Sequence, residues 1–421
     1  MLKNLFSMLL TLTLITMAQG QEANTEKAVK KVEFSKYLTA TRKLVSIDTI
    51  MKRQDIKIEK SSEKAGLNQY LTSSKKLSFT ERDSLFQVSI GFRVQSRAGF
   101  EKREGETGVA EGEIRRMRLK LDGFVYNPKF GYKVELGFSA RDMGTVTVGN
   151  SGNVILDGVL FYKPSKNWII GFGQTKLPGN NQRVVSSGAL EFTDRTINNA
   201  KFNIDRDFGL FLDYAKEKSN TFSYRLKGAL TKGEGRNWVK TEDDGIALTG
   251  KIELFPLGAF SKNGSLFEGD LLREKTLKWM ISGAFSQNNN TRRSAGQLGS
   301  ELFEARTLKS VFFDTMLKYN GWSAIAAYMS RATNDPITLN PLDITKTRSV
   351  YVGYGFDTQV SYVFPSNYQV AARFSMQEVD KEIQAFTPDT NEYAIGVSKY
   401  ILGHHLKVQT EFSYENNKYF S

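Results

Sequence analysis

Gln87-Val88-Ser89-Ile90-Gly91-Phe92-Arg93-Val94-Gln95 carries apolar side chains at 88, 90, 92 and 94, with polar or small residues between them. A period of two marks an extended strand with one apolar and one polar face. The pattern persists downstream. Met117, Leu119, Leu121 and Val125 alternate with Arg116, Arg118, Lys120 and Asp122; Tyr132, Val134, Leu136 and Phe138 alternate with Lys133, Glu135 and Ser139. Phe222, Tyr224, Leu226 and Leu230 oppose Ser223, Arg225 and Lys227, and Tyr368, Val370, Ala372 and Phe374 oppose Gln369, Arg373 and Ser375. Fifteen segments of this kind can be counted, the last at 404–415. Runs of about ten alternating residues match a tilted strand crossing a bilayer, whereas strands of soluble sandwiches are nearer five or six. The chain therefore reads as all-β, a transmembrane antiparallel β-barrel of about sixteen strands over 87–421.

The connections support this layout. Short turns fall at Asn127-Pro128-Lys129, Pro164-Ser165-Lys166, Glu217-Lys218-Ser219, Asn320-Gly321, Pro365-Ser366 and Leu402-Gly403. Long polar loops are expected at 98–112, 142–152, 176–206, 232–244, 288–306, 332–349 and 379–390. Short turns at one end and long loops at the other is the arrangement of an outer-membrane barrel. The stretch 256–275 breaks the rule, being long where a short turn is due. Aromatic residues flank the short turns (among them Tyr126, Phe130, Tyr162, Trp168, Trp322 and Tyr362) and predict a girdle at one membrane interface. The even-number rule leaves one strand to be found, because only six residues follow 415.

Composition narrows the chemistry. The 421 residues include no cysteine, which excludes thiol catalysis, cysteine-based metal sites and disulfides. The two histidines are adjacent, His404 and His405, which disfavours hydrolytic and metal chemistry; the chain reads as a non-enzyme without a cofactor. Net charge is +13, spread along the chain rather than gathered in a block, and no common nucleic-acid motif is present, so no nucleic-acid partner is expected. Lys3, an apolar run from Leu5 to Met17 and Ala18-Gln19-Gly20 read as an export signal over 1–20 cleaved before Gln21. Residues 21–86 are rich in Lys and Glu and lack a clean period; they read as a periplasmic extension, partly helical or disordered.

At the level of motifs the chain resembles the phosphate-selective porin O and P family. The resemblance is carried by Ile114-Arg115-Arg116-Met117-Arg118-Leu119-Lys120-Leu121-Asp122-Gly123, Asp157-Gly158-Val159-Leu160-Phe161-Tyr162 and Gly173-Gln174-Thr175-Lys176-Leu177-Pro178. It continues through Arg183-Val184-Val185-Ser186-Ser187, Phe192-Thr193-Asp194-Arg195, Arg206-Asp207-Phe208-Gly209, Gly396-Val397-Ser398-Lys399-Tyr400 and His405-Leu406-Lys407-Val408. It implies a sixteen-stranded barrel, commonly a homotrimer, whose third long loop narrows the channel and whose arginines and lysines select anions. The family's paired arginines fall on Arg115 and Arg116, its constriction-loop lysine on Arg183, and neighbouring serines on Ser186 and Ser187. The family's later arginine-rich loop has only loose counterparts in Arg292, Arg293 and Arg306, and its final strand is missing.

The residues argue for anion passage independently. Period two turns Arg116, Arg118, Lys120, Lys133, Arg225, Lys227 and Arg373 inward, and cationic rings lower the barrier for anions. Inward acids, including Glu135, Asp157, Glu253 and Glu411, offer the opposing reading, in which many of these cations pair across the wall. The expected function is passive diffusion of small anions such as phosphate, with outer-membrane lipid and lipopolysaccharide as surroundings. A general porin of mild selectivity and a non-conducting scaffold barrel are the alternatives.

Overall fold

The computed structural model describes residues 85–143, 153–237 and 245–419, together with the backbone of two short strands at 56–57 and 77–81. The expected export signal and most of 21–86 lie outside the described residues.

In chain order the elements are β1 (Ile56–Lys57), β2 (Leu77–Glu81), β3 (Phe86–Glu101), β4 (Val109–Val125), β5 (Phe130–Gly137), the short helix α1 (Ala140–Met143), β6 (Ile155–Tyr162) and β7 (Trp168–Lys176). The loop after β7 carries α2 (Asn181–Val184) and α3 (Ile197–Phe202). Then come β8 (Arg206–Lys216), β9 (Ser223–Thr231), β10 (Ala247–Phe255), a 3-10 segment (Ser261–Leu266), β11 (Lys278–Arg293), β12 (Glu301–Tyr319) and β13 (Trp322–Ala332). The hairpin β14 (Ile337–Asn340) and β15 (Asp343–Ser349) precedes β16 (Gly353–Val363), β17 (Tyr368–Val379), β18 (Asp389–Leu402) and β19 (Leu406–Lys418). All but the hairpin join one seventeen-stranded sheet. Each of its strands pairs antiparallel with the next, and β13 passes over the hairpin to pair with β16.

Fifteen of these strands are long, at 8 to 19 residues. They agree with the alternating segments, and several extend beyond them into stretches expected as loops: β3 runs to Glu101 and β4 begins at Val109. A further short strand, β2, stands between β19 and β3 in the sheet, where Leu77 pairs with Ile90 and Thr80 with Gln87. It falls before residue 87, in the stretch that had no clean period.

The distribution of side chains is inverted relative to a water-soluble protein. Phe92 (64%), Leu160 (62%), Leu248 (61%) and Ile395 (62%) are exposed, while Asp157, Lys251, Glu253 and Arg373 are buried. Buried ionisable groups beneath an exposed aliphatic surface suit a wall with hydrocarbon outside and charge inside. The girdle forms at the short-turn end: Phe130 stacks on Tyr162 with ring centroids 5.1 Å apart, Trp168 meets Tyr214 at 4.8 Å, and Trp322 meets Tyr362 at 4.9 Å. Tyr132 leaves this row and lies across β4, its hydroxyl donating to Gln87 O at 3.2 Å. Gly123 makes this possible, since a Cβ there would stand 3.1 Å from the tyrosine oxygen and collide with Gln87 O.

The interior is not uniformly polar. Phe211, Ala229, Ala284, Phe312, Ala327 and Met329 face inward from β8, β9, β11, β12 and β13 and pack on Leu177, Phe202 and Ile204 of the loop between β7 and β8. Strict alternation of apolar-out and polar-in fails here because the loop supplies an apolar surface for these positions to cover. Burying the Phe, Leu, Ile and Met side chains among them contributes roughly 1.5–3 kcal/mol each, so one side of the lumen is a dry core and the open space lies elsewhere.

Phe202→Ala is expected to cost about 3–5 kcal/mol and to release the loop. It should lower the temperature at which the detergent-solubilised barrel loses its fast gel migration and raise single-channel conductance; an unchanged conductance would mean the loop is held without this core.

Candidate functional site

The loop 177–205 enters the barrel and is fastened to the wall by cations that donate to its carbonyls. Lys176 Nζ reaches Arg183 O at 2.9 Å and Val184 O at 3.1 Å, and Lys251 Nζ reaches Gly179 O at 2.9 Å. Arg331 holds the C-terminal end of α3 through Lys201 O (2.8 Å), Phe202 O (3.1 Å) and Asn203 O (2.9 Å). Lys407 Nζ reaches Leu190 O. Such charge-assisted bonds are stronger than neutral ones, and the carbonyls at the end of a helix carry partial negative charge. Asn198 adds a neutral fastening, donating to Phe356 O (3.2 Å) and Met376 O (2.9 Å); it fits because Gly355 has no side chain to meet it.

The stretch 256–275 uses the same device from the opposite end of the barrel. Lys318 Nζ donates to Gly264 O, Phe267 O and Gly269 O at 2.8–2.9 Å, and Ser323 Oγ donates to Glu268 O at 2.6 Å. The segment that was too long for a short turn is thus a second inward fold. The two meet at a pair of buried acids. Glu268 accepts from Glu191 N (2.8 Å) and from Gln182 Nε2 (3.0 Å), while the Glu191 carboxylate accepts from Gln359, Ser361 and Gln369 on β16 and β17. Burial, and then the nearby Glu268 charge, push the Glu191 carboxyl up to about 7; the Ser361 and Gln359 hydrogen bonds and Lys318 oppose them.

A second cluster faces the lumen. The ladder between β3 and β4 shifts register after Gln95, which pairs with Arg116 while Ser96 pairs with Ile114. Arg115 is the extra residue of this bulge. A regular strand would send adjacent side chains to opposite faces, but a bulge re-aims one of them, and both arginines meet Asp194 of the loop: Arg115 Nη2 at 2.8 Å and Arg116 Nη2 at 3.1 Å from Oδ1. Arg97 Nη1 lies 3.0 Å from Oδ2. Burial raises the Asp194 carboxyl, but Arg115 and Arg116 outweigh it and hold the group below the ordinary carboxylate range. Arg93 stands beside them and donates to Ser187 Oγ (2.9 Å) and Gln95 Oε1 (2.7 Å).

The expected site residues separate into groups. Arg115, Arg116, Ser186, Ser187 and Arg183 line one cavity of about 2440 Å³ together with Arg93, Arg97, Asp194, Arg373 and Lys407. Arg183 is also tied to Asp205. Arg118 pairs with Asp142 and Glu135, Lys133 with Asp157 and Glu135, Arg225 with Glu217 and Glu253, Lys227 with Glu253, and Arg373 with Glu392 and Glu411. Lys120 lies 3.6 Å from Asp122. The pairing foreseen as the alternative reading thus accounts for most of the ladder. His404 is packed between Phe267 (4.7 Å) and Tyr400 (5.3 Å), and burial followed by the Lys407 charge pushes it down to about 3. Asp194, Glu191 and Glu268 received no role from the sequence. Asp194 stands in the quoted Phe192-Thr193-Asp194-Arg195 stretch, which was the one signal that could have pointed to it.

An antiparallel wall with an aliphatic outside, a charged inside and a long loop folded into its lumen is the build of an outer-membrane porin. Residues 87–237, which include the paired arginines and the infolded loop, match the family model of phosphate-selective porin O and P. No curated protein matches. Among solved structures, the outer membrane channel DcaP of Acinetobacter baumannii aligns with a TM-score of 0.46 at 15% identity, covering 80% of this chain and 96% of that one. A loop-deletion mutant of OmpT, an outer membrane protein of Vibrio cholerae, aligns with a TM-score of 0.46 at 11% identity, covering 79% and 95%.

A carboxyl group with a raised native pKa holds its proton more tightly folded than unfolded, so its stabilising contribution is complete below about pH 4.5 and is lost as pH rises through about 7. Unfolding temperature in detergent should fall across that window, and Glu191→Gln should remove much of the fall. Parallel pH profiles for the two proteins would show that the Glu191 proton does not matter to the loop junction.

Proposed function

We propose that the chain is a passive outer-membrane channel favouring small anions such as phosphate. The observation that carries this reading is the charge balance at the lumen-facing cluster. Arg93, Arg97, Arg115 and Arg116 outnumber the acids they meet: Arg97, Arg115 and Arg116 converge on Asp194, Arg97 also pairs with Glu111 and Glu113, Arg115 lies 3.8 Å from Glu113, and among the described residues Arg93 has only neutral hydrogen-bond partners. One uncompensated charge about 5 Å from an ion's path is worth about 3 kcal/mol at an effective dielectric of about 20, enough to bias permeation strongly. Planar guanidinium forks suit phosphate or carboxylate oxygens better than point charges do. The neighbouring Ser186 and Ser187 hydroxyls add neutral polar groups to the same wall.

Selectivity is assigned to this cluster rather than to the whole inward ladder, because Arg118, Lys133, Arg225, Lys227 and Arg373 are matched by acids. The extent of that pairing favours moderate selectivity as the second reading. Outer-membrane lipid, lipopolysaccharide and a homotrimeric assembly fit the exposed aliphatic belt, and an export signal over 1–20 fits the destination.

In planar bilayers under a salt gradient, reversal potential is expected to report anion preference. Arg115→Ala with Arg116→Ala should reduce the anion-to-cation permeability ratio several-fold. Arg118→Ala should leave that ratio nearly unchanged while lowering thermal stability, since it removes the ion-pair partner of Asp142. Cation preference in the unmodified channel would overturn the reading, and absence of conductance would favour a scaffold.

A further inference from the structure

Asp194 is held in a fork of three guanidinium groups. Arg115 Nε lies 3.1 Å from both carboxylate oxygens and Arg115 Nη2 lies 2.8 Å from Oδ1; Arg116 Nη2 reaches the same oxygen at 3.1 Å, and Arg97 Nη1 reaches Oδ2 at 3.0 Å. This is the geometry by which guanidinium groups recognise any planar or tetrahedral oxyanion. The Asp194 side chain is 24% exposed and lines the same cavity as its three arginines, so a solute in the lumen can reach it.

The loop backbone does not depend on that carboxylate for its place. On one side Thr193 donates to Glu411 from its N at 2.9 Å and its Oγ1 at 2.6 Å. On the other, Arg195 donates to Gln182 O at 2.9 Å and Val185 O at 2.8 Å. The Asp194 carbonyl itself accepts from Arg373 Nη1 at 3.2 Å. With the main chain fastened on both sides, the side chain can swing away and return without moving the loop.

Resting on the anion-channel reading, we propose that Asp194 is a tethered competitor: its carboxylate occupies the Arg97–Arg115–Arg116 fork between transits, an entering oxyanion displaces it, and its return expels the anion. With Asp194 away, Arg116 would keep no carboxylate partner among the described residues and Arg97 and Arg115 would keep only Glu111 and Glu113; a fork so charged would hold phosphate too long to conduct, since a conducting site must bind weakly enough to release. A local carboxylate on a short tether competes at high effective concentration and lowers the apparent affinity without removing the positive field.

The test is block of chloride current by inorganic phosphate in planar bilayers, comparing the unmodified channel with Asp194→Asn and Asp194→Ser. Both variants are expected to show half-block at a phosphate concentration about ten-fold or more below that of the unmodified channel, together with a raised anion-to-cation ratio. Adding Arg115→Ala and Arg116→Ala to either variant should abolish the gain. If the unmodified channel prefers cations, the anion reading itself fails. If it prefers anions but both Asp194 variants block at the same phosphate concentration, the competitor fails and the channel reading stands. Failure of both variants to form heat-resistant barrels, or a wide unselective conductance in both, would make Asp194 a loop anchor and overturn the competitor as well.

Discussion

The structure depends on one constraint: a sheet whose outer face meets hydrocarbon must send every charge inward, and inward charge must be compensated. An unpaired ion in a partly dry lumen is costly, and the backbone groups of any loop entering that lumen are costly too. Each problem resolves the other here. Lysines and arginines on the wall donate to the carbonyls of the two inward folds, as Lys251 does to Gly179 and Lys318 does to Gly264, Phe267 and Gly269. The cations lose little by being buried, and the loops acquire partners that a strand cannot give them.

This compensation divides the lumen. On the β8–β13 side an apolar core built around Phe202 and Phe312 fills the space. On the side formed by β3, β4 and β17–β19, arginines and acids face an open cavity. The charged groups that face the open cavity are therefore gathered on one side of the wall. A ring of positive charge drawn from the strand pattern alone overstates the number of cations a solute would meet. Lys133 and Arg225 pair with acids on neighbouring strands; Arg97, Arg115 and Arg116 gather on Asp194 of the infolded loop beside the open cavity.

Period two was enough to read the strands, because a membrane-spanning strand has to keep one face apolar for its whole length, and that demand is written locally. Short turns and their aromatic flanks were legible for the same reason. The extra length of 256–275 was visible as an irregularity, but its inward course was not. What draws it in is Lys318, Ser323 and Gln359, all distant in sequence. Similarly, Arg115 could be noted only as half of an arginine pair. Its inward aim follows from a bulge, and bulges leave no reliable mark in a single strand's alternation.

The amino-acid sequence by itself determined the class of fold, the inward placement of charge and the exclusion of thiol chemistry. These follow from local periodicity and from residue types, which neighbours within a strand enforce. The tertiary structure decided which cations are matched, which are gathered on Asp194, and where Glu191 meets Glu268. Charge compensation is a property of groups brought together across the barrel from positions as far apart as Leu190 and Lys407, and no local pattern encodes which of them will meet.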